Sequence, residues 1–199
     1  MTQAYDPTTA LIVVDLQHDF AEADGNLYVP GGEQVVPLAN AEIEAARAAG
    51  APVIYTQDWH PETTPHFQKD GGIWPVHCVH DTWGAEFHED LVVDGPVVRK
   101  GVDGRDGYSG FSVRDPVTGE QGETRLGHLL RDLGVRRIVL IGLAGDYCVR
   151  ETALDGLRLG YEVVVPLEGT RFVELQEGDA ERTIAELREA GATLVGAAA

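Results

Sequence analysis

Reactive side chains of three kinds follow short apolar segments of this sequence. They are the carboxylates Asp15 and Asp58, the ammonium Lys100 and the thiol Cys148. A thiol can attack a substrate, a carboxylate such as Asp15 can take its proton, and an ammonium such as Lys100 can hold that carboxylate and raise the thiolate content. This combination predicts nucleophilic catalysis by Cys148, although a cysteine considered alone is more often a small buried hydrophobe.

The positions of Cys148 and Lys100 strengthen this hypothesis. Cys148 opens a predicted helix that contains no proline or glycine before Gly156. A helix N-terminus favours a thiolate, and its free N–H groups can hold a developing oxyanion. Lys100 and Lys69 are the only lysines among 15 basic residues. Because the chain otherwise uses arginine for positive charge, a lysine at position 100 indicates a chemical role for its ammonium group.

A second group of reactive side chains lies in a single stretch of the chain. It contains one carboxylate and three histidines, at Asp58, His60, His66 and His77. An Asp-x-His pair in an extended segment presents both side chains on one side, where they can chelate an ion together. These residue types predict one divalent transition metal ion, with zinc preferred and iron or manganese left open. A single histidine in a polar loop does not by itself indicate a metal ligand. His80 and His88 are expected to be ordinary polar residues.

Three aromatic residues also lie in these loops rather than on predicted helix faces. They are Phe20, Trp74 and Tyr108. An isolated aromatic residue belongs to the core more often than to a pocket. Three of them beside reactive groups would suit a flat ring as substrate.

Short apolar segments alternate along the chain with stretches of helical periodicity. The predicted strands are 10–14, 52–55, 96–98, 137–141, 162–165 and 193–195. The predicted helices are 36–49, 124–133, 148–159 and 179–190. The alternation predicts an α/β fold: a single doubly wound domain over residues 1–199, with about six mostly parallel strands and helices on both faces.

Two long stretches, 59–94 and 101–123, fall outside this alternation and are rich in glycine, proline and aromatic residues. Loops of such length in a compact domain are usually functional. Ligands of open parallel sheets bind beyond the carboxyl ends of the strands. We therefore expect the four reactive residues to meet at that edge, beside both loops.

The charge of the chain excludes several classes of partner. Asp and Glu number 33 against 15 Lys and Arg, a net charge of −18, with no basic cluster. Nucleic acid and membrane surfaces are therefore poor partners. The first residues, MTQAYDPTT, do not resemble a secretory signal, and with only two cysteines the chain is expected to be cytoplasmic and free of disulfides. Formation of a homo-oligomer stays open.

Seven stretches of the sequence occur in an order typical of one enzyme family. They are VDLQHDF at 14–20, QDWHP at 57–61, WPVHCV at 74–79, GAEF at 84–87, KG at 100–101, YSGF at 108–111 and GLAGDYCV at 142–149. With them the chain resembles the pyrazinamidase/nicotinamidase family, within the isochorismatase-like cysteine hydrolases, from about residue 9 to about residue 170. The resemblance implies the isochorismatase-like hydrolase fold.

The resemblance also implies a role for each matching residue. It implies a catalytic triad of Asp15, Lys100 and Cys148. It implies a metal set of Asp58, His60 and His77, with His66 where relatives vary. It implies ring contacts from Phe20, Trp74 and Tyr108, and an oxyanion hole formed by the backbone N–H groups of Ala144 and Cys148. A cis peptide bond is expected before Ala144. The chain departs from the family at Gly145, where threonine is usual, and at Asp81, where glycine is usual.

The implied reaction is hydrolysis of nicotinamide, a small neutral aromatic amide, to nicotinate and ammonia through a Cys148 thioester, with pyrazinamide as a further substrate. Two alternatives stay open. One is a related amidase acting on a carbamoyl or ureido compound through the same triad. The other is a zinc hydrolase whose metal-bound water attacks directly while Cys148 is inert.

Overall fold

The computed structural model describes residues 3–197. Six parallel strands form one sheet, and two short strands form a separate hairpin. The strands are β1 Thr9–Val14, β2 Val53–Asp58, β3 Val97–Lys100, β4 Ser112–Arg114, β5 Gln121–Glu123, β6 Arg137–Gly142, β7 Glu162–Pro166 and β8 Thr193–Val195. The α-helices are α1 His18–Ala21, α2 Val35–Ala48, α3 Leu126–Asp132, α4 Arg150–Arg158 and α5 Asp179–Ala190.

The order of strands in the large sheet is β3, β2, β1, β6, β7, β8. The chain first builds outward from β1 to β3 and then returns to the other side of β1, so the order reverses between β1 and β6. At such a reversal the connections leave in opposite directions and open a crevice beyond the strand ends, where doubly wound proteins bind their ligands. The predicted doubly wound α/β fold is confirmed.

The sheet is buried on both faces, which explains its uninterrupted apolar strands. Along β1, Leu11 and Val13 contribute to the apolar cluster that includes α2, whereas Ile12 and Val14 contribute to the one that includes α3 and α4. All four side chains are fully buried, and burial of each stabilises the fold by about 1.5–3 kcal/mol. The buried sheet holds the strand ends in fixed positions, together with the reactive residues that they carry.

The structure differs from the sequence prediction mainly in the two long loops. The stretch 101–123 contains the β4–β5 hairpin, and the first loop contains only short helical turns. Helix α4 starts at Arg150 and not at Cys148, because residues Gly145–Val149 form a wider π-type turn in front of it. The boundaries of the predicted domain, 1–199, stay a prediction, since residues 1–2 and 198–199 lie outside the described range. Within that range, no helix is long and apolar enough to cross a membrane.

Candidate active site

Three neighbouring strands end on the residues of the predicted triad and metal set. Asp15 follows β1, Asp58 is the last residue of β2, and Lys100 is the last residue of β3, directly opposite Asp58 in the register. Asp15 adopts a left-handed backbone conformation with φ 47°, which aspartate tolerates better than most residues. Thr56 on β2 donates a hydrogen bond of 2.7 Å to Asp15 Oδ1 and so fixes the carboxylate.

Lys100 lies at the centre of this group. Its Nζ is 2.8 Å from Asp15 Oδ2 and 2.5 Å from Asp58 Oδ1. It also lies 3.4 Å from the sulfur of Cys148. Asp15, Asp58 and Cys148 each place an oxygen or sulfur atom within 4.8 Å of the others. The four predicted reactive residues therefore meet at one point.

Burial and mutual charge determine the protonation of this group. Burial lowers the pKa of Lys100, but the Asp15 and Asp58 carboxylates outweigh it, and the pKa lies well above its ordinary value. Burial raises the pKa of Asp58, yet the Lys100 ammonium and the facing histidines reverse this, and the carboxyl ionises well below its usual range. For Asp15 burial prevails over the ammonium, so its pKa is raised.

Cys148 is held as a neutral thiol in this environment. Burial raises its pKa well above the ordinary value; Lys100 opposes the rise, and the two aspartates add to it. The thiolate expected from a helix N-terminus is therefore not the resting state, because the sulfur is buried beside two carboxylates. A thiol of raised pKa beside Asp15 suits proton transfer at the moment of attack rather than before it.

The loop before Cys148 has one feature that the family resemblance predicts and one in which the chain departs from the family. The Leu143–Ala144 peptide is cis, as expected. Gly145 stands close to the ring of Phe172: a Cβ atom added there would lie 2.6 Å from a ring carbon. The threonine usual in relatives therefore does not fit beside Phe172 in this chain. Asp146 ties the loop to the segment after Phe172, since its carboxylate accepts hydrogen bonds from the Val173 and Glu174 N–H groups.

The three predicted histidine ligands form one buried group. His60, His66 and His77 each place a ring nitrogen within 4.8 Å of the others. Asp58 Oδ2 lies 3.7 Å from His60 Nε2, while its other oxygen faces Lys100. Burial lowers the pKa of His77 to about 4, so its imidazole is neutral at physiological pH.

The hydrogen bonds of these rings fit a metal ion. His77 Nδ1 is 2.8 Å from the Pro75 carbonyl, and His66 Nδ1 is 2.8 Å from Asp106 Oδ1. In each contact Nδ1 donates a hydrogen bond to the oxygen, so the proton of the neutral ring is on Nδ1 and the Nε2 lone pair is available for a metal ion. Within residues 3–197, neither buried ring nitrogen of His60 has a hydrogen-bond partner. A buried imidazole without partners is costly, and coordination of a cation would satisfy it.

A cavity lies beside these groups. Eight of the eleven predicted site residues line it: Phe20, Asp58, His66, Trp74, His77, Tyr108, Ala144 and Cys148. The other three, Asp15, His60 and Lys100, lie behind this wall and are at most 2% exposed. The structure thus brings all the predicted residues together around one cavity.

Aromatic rings form one wall of the cavity. Trp74 Nε1 donates a hydrogen bond of 2.8 Å to the Tyr108 hydroxyl. Tyr147 packs edge-on against both rings, with centroid distances of 4.8 Å to Trp74 and 5.2 Å to Tyr108. Phe20 packs against the ring of His77. The wall offers flat apolar surface to a planar substrate.

Sequence reasoning missed several residues of the site. Tyr147, Leu27, Val29 and Val173 line the cavity. Tyr147 had a signal, since it directly precedes the predicted nucleophile, whereas the aliphatic residues have none that distinguishes them from core. Gln17 was also missed: its side-chain amide bonds both backbone groups of Asp58 and so fixes the end of β2.

The isochorismatase domain model matches residues 9–199. The chain is similar to the nicotinamidase of Escherichia coli, with 38% identity over 94% of both chains.

Two solved structures are similar as well. A pyrazinamidase of Pyrococcus horikoshii in complex with zinc has a TM-score of 0.84 and 39% identity, covering 96% of this chain and 100% of that one. PnC1 from L. infantum in complex with nicotinate has a TM-score of 0.87 and 34% identity, covering 98% and 96%. The similarity in sequence and fold therefore extends over nearly the whole chain.

Proposed function

The chain belongs to the isochorismatase domain family, and from this membership we propose that it is a metal-containing cysteine amidohydrolase that converts nicotinamide to nicotinate and ammonia. Its membership and its curated relatives make it a hydrolase that acts on amides. The choice of nicotinamide, with pyrazinamide as a further substrate, is supported by relatives named nicotinamidase and pyrazinamidase.

One observation carries the proposal: Lys100 contacts Asp15, Asp58 and Cys148 at once. The ammonium thereby joins the nucleophile Cys148 and its base Asp15 to Asp58 of the metal set. The carboxamide carbon of a substrate placed over Cys148 would lie beside both this base and the metal set. The aromatic wall of Trp74 and Tyr108 supports a planar ring as the other end of the substrate.

The reaction begins with a substrate ring held against the aromatic wall and its carboxamide over Cys148. Asp15 takes the thiol proton, and the sulfur attacks the carboxamide carbon. The backbone N–H groups of Ala144 and Cys148 hold the oxyanion, a contribution of about 3 kcal/mol per donor in comparable sites. Lys100 keeps Asp15 in place and compensates the charge of the thiolate as it forms.

Collapse of this intermediate breaks the C–N bond. Asp15 returns its proton to the leaving nitrogen, ammonia departs, and the acyl group remains on Cys148 as a thioester. Asp15, again a carboxylate, then takes a proton from water as that water attacks the thioester. Nicotinate leaves, and the thiol recovers its proton.

Asp58, His60, His66 and His77 are the residues that would hold the metal ion. A divalent transition ion bound there would supply a Lewis acid that orients a substrate through its ring nitrogen. The neutral His77 and the unpartnered nitrogens of His60 support this assignment. Zinc is the first candidate, with iron and manganese as alternatives, since His/Asp sets accept all three.

The strong negative charge of the chain is compatible with this substrate. Nicotinamide is neutral and is not repelled by a protein of net charge −18. Nicotinate is an anion, so its release is favoured mildly by the same field, an effect that added salt weakens.

Ammonia release from nicotinamide, measured before and after removal of metal by a chelator, tests the proposal. We expect activity that falls on chelation and returns when zinc, iron or manganese is added. A parallel panel of pyrazinamide and carbamoyl or ureido compounds tests the alternative amidase. Turnover of a ureido compound with none of nicotinamide would overturn the substrate, and undiminished activity without metal would overturn the metal requirement.

A further inference from the structure

Asp106, which the sequence reasoning did not single out, contacts one of the predicted metal ligands. Its Oδ1 lies 2.8 Å from Nδ1 of His66. The histidine side chain is 5% exposed and the aspartate side chain 26%. The carboxylate is therefore placed to accept a hydrogen bond from Nδ1 of the ring.

The backbone holds Asp106 in this position. Its N–H donates to the Arg114 carbonyl, and its own carbonyl accepts from the Arg114 N–H, at 2.7 and 2.6 Å. Arg114 ends strand β4, so the hairpin fixes the residue from outside the site. The Gly107 N–H donates to the same Oδ1 that faces His66 and restrains the carboxylate further.

The segment 106–108 contacts the long loop 59–94 at two points. Asp106 meets His66, and two residues later the Tyr108 hydroxyl accepts a hydrogen bond from Trp74 Nε1. One short segment therefore supports both a candidate ligand and the aromatic wall of the cavity.

We propose that Asp106 is a positioning residue that fixes the tautomer and orientation of His66 for metal binding. The inference rests on the metal-dependent function proposed above. Carboxylate partners of ligand histidines raise ligand basicity and hold the ring, and their removal weakens metal affinity by about 10- to 100-fold. We expect a loss of this size at Asp106 because the bond is short and the carboxylate is restrained by the hairpin.

A second histidine–carboxylate pair provides a matched control. His88 Nε2 lies 2.7 Å from Glu22 Oε1, with side-chain exposures of 8% and 34%. The geometry and burial resemble those of the His66–Asp106 pair, but neither residue lines the cavity. Glu22→Ala therefore breaks an equivalent bond elsewhere.

The test measures the zinc Kd of the purified metal-free chain by competition with a chromogenic chelator. We expect Asp106→Ala to weaken affinity about 10- to 100-fold, Asp106→Asn to restore most of it because its amide oxygen still accepts from Nδ1, and Glu22→Ala to match the wild type. In a His66→Ala background, Asp106→Ala should have no further effect. The visible spectrum of the Co²⁺ protein should shift in Asp106→Ala and not in Glu22→Ala.

The outcomes separate this inference from the proposed function. Wild-type affinity in Asp106→Ala, or an equal loss in Glu22→Ala, overturns the positioning role. A further loss from Asp106→Ala in the His66→Ala background overturns it as well, since the effect then does not pass through His66. A wild-type chain that binds neither Zn²⁺ nor Co²⁺ overturns the metal-dependent function itself, whichever variant is compared. Urea unfolding of each metal-free variant identifies any loss of affinity caused by unfolding.

Discussion

Lys100 donates a hydrogen bond of 2.5 Å to Asp58, and this contact joins the predicted triad to the predicted metal set. The same ammonium pairs with Asp15 at 2.8 Å. All three side chains are at most 7% exposed. The charge balance of the whole site therefore depends on one cation.

Removing this cation should destabilise the fold as well as abolish activity. Lys100→Met leaves two carboxylates buried without a counter-charge, and breaking a buried ion pair costs about 3–5 kcal/mol. We expect the free energy of unfolding, measured in urea, to fall by about this amount, and ammonia release to be lost. Lys69→Met is the control, because Lys69 is the other lysine of the chain and forms an exposed pair with Asp70. Equal stability of the two variants would contradict the role of Lys100.

Cys148→Ala should abolish ammonia release while metal binding is retained. The sulfur is the proposed nucleophile, and loss of such a residue lowers kcat by about 10⁴-fold or more. The measurements are ammonia production and zinc affinity on the same preparation. Cys78→Ala is the control, because Cys78 is buried near Gly84 and does not line the cavity. Full activity in Cys148→Ala would end the cysteine mechanism and favour direct attack by water.

The raised pKa of Cys148 predicts slow alkylation at neutral pH. A raised pKa lowers the thiolate fraction at pH 7, and the thiolate is the species that reacts. In the Cys78→Ala background, iodoacetamide should therefore modify Cys148 more slowly than a free cysteine at pH 7, with a rate that rises as the pH rises. Nicotinamide should protect the thiol. Rapid modification at pH 7 would show that the thiolate is the resting form.

His77→Ala should weaken metal and substrate affinity together. The ring is one of three that place nitrogens within 4.8 Å of one another, and its loss should cost at least the 10- to 100-fold typical of removing a ligand's outer partner. The zinc Kd and the KM for nicotinamide provide the two readouts. His80→Ala is the control, since the His80 side chain is 45% exposed and pairs with Asp81. A raised KM with unchanged zinc affinity would assign His77 to the substrate alone.

The meeting of Asp15, Asp58 and Lys100 could be predicted because it follows from topology. Each residue stands at the end of an apolar segment, and parallel strands end at a common edge. His60, His66 and His77 could be proposed as metal ligands from their residue types and spacing. Fully apolar strands and helical periodicity gave element positions close to those observed.

The remaining features depend on contacts between distant segments. Thr56 and Gln17 read as ordinary strand and loop residues, and only the fold directs their side chains to Asp15 and Asp58. Asp106 reaches His66 because a hairpin of two three-residue strands, too short for a periodic signal, holds it there. The pKa of Cys148 depends on how deeply the sulfur is buried, which local sequence does not reveal.

Tyr108 predicts how stability changes at alkaline pH. Burial raises the pKa of its hydroxyl to about 12, whereas tyrosine in the unfolded chain ionises near pH 10. The unfolded state therefore loses its proton first, and the free energy of unfolding falls as the pH rises from about 10 to about 12. Below pH 10 the hydroxyl is neutral in both states, so it does not change the free energy of unfolding with pH.

Tyr108→Phe removes this titration together with the hydrogen bond from Trp74. The variant should be less stable than the wild type at pH 9 by about 1 kcal/mol, the typical net value of one hydrogen bond. The difference should then shrink as the pH rises above 10 and change sign before pH 12, because only the wild type loses the stability linked to Tyr108, and a shift of two pKa units outweighs one hydrogen bond. Urea unfolding at several pH values from 9 to 12 measures both curves. The other tyrosines titrate equally in both proteins and cancel, so parallel curves would show that the Tyr108 hydroxyl ionises in the folded protein as readily as in the unfolded chain.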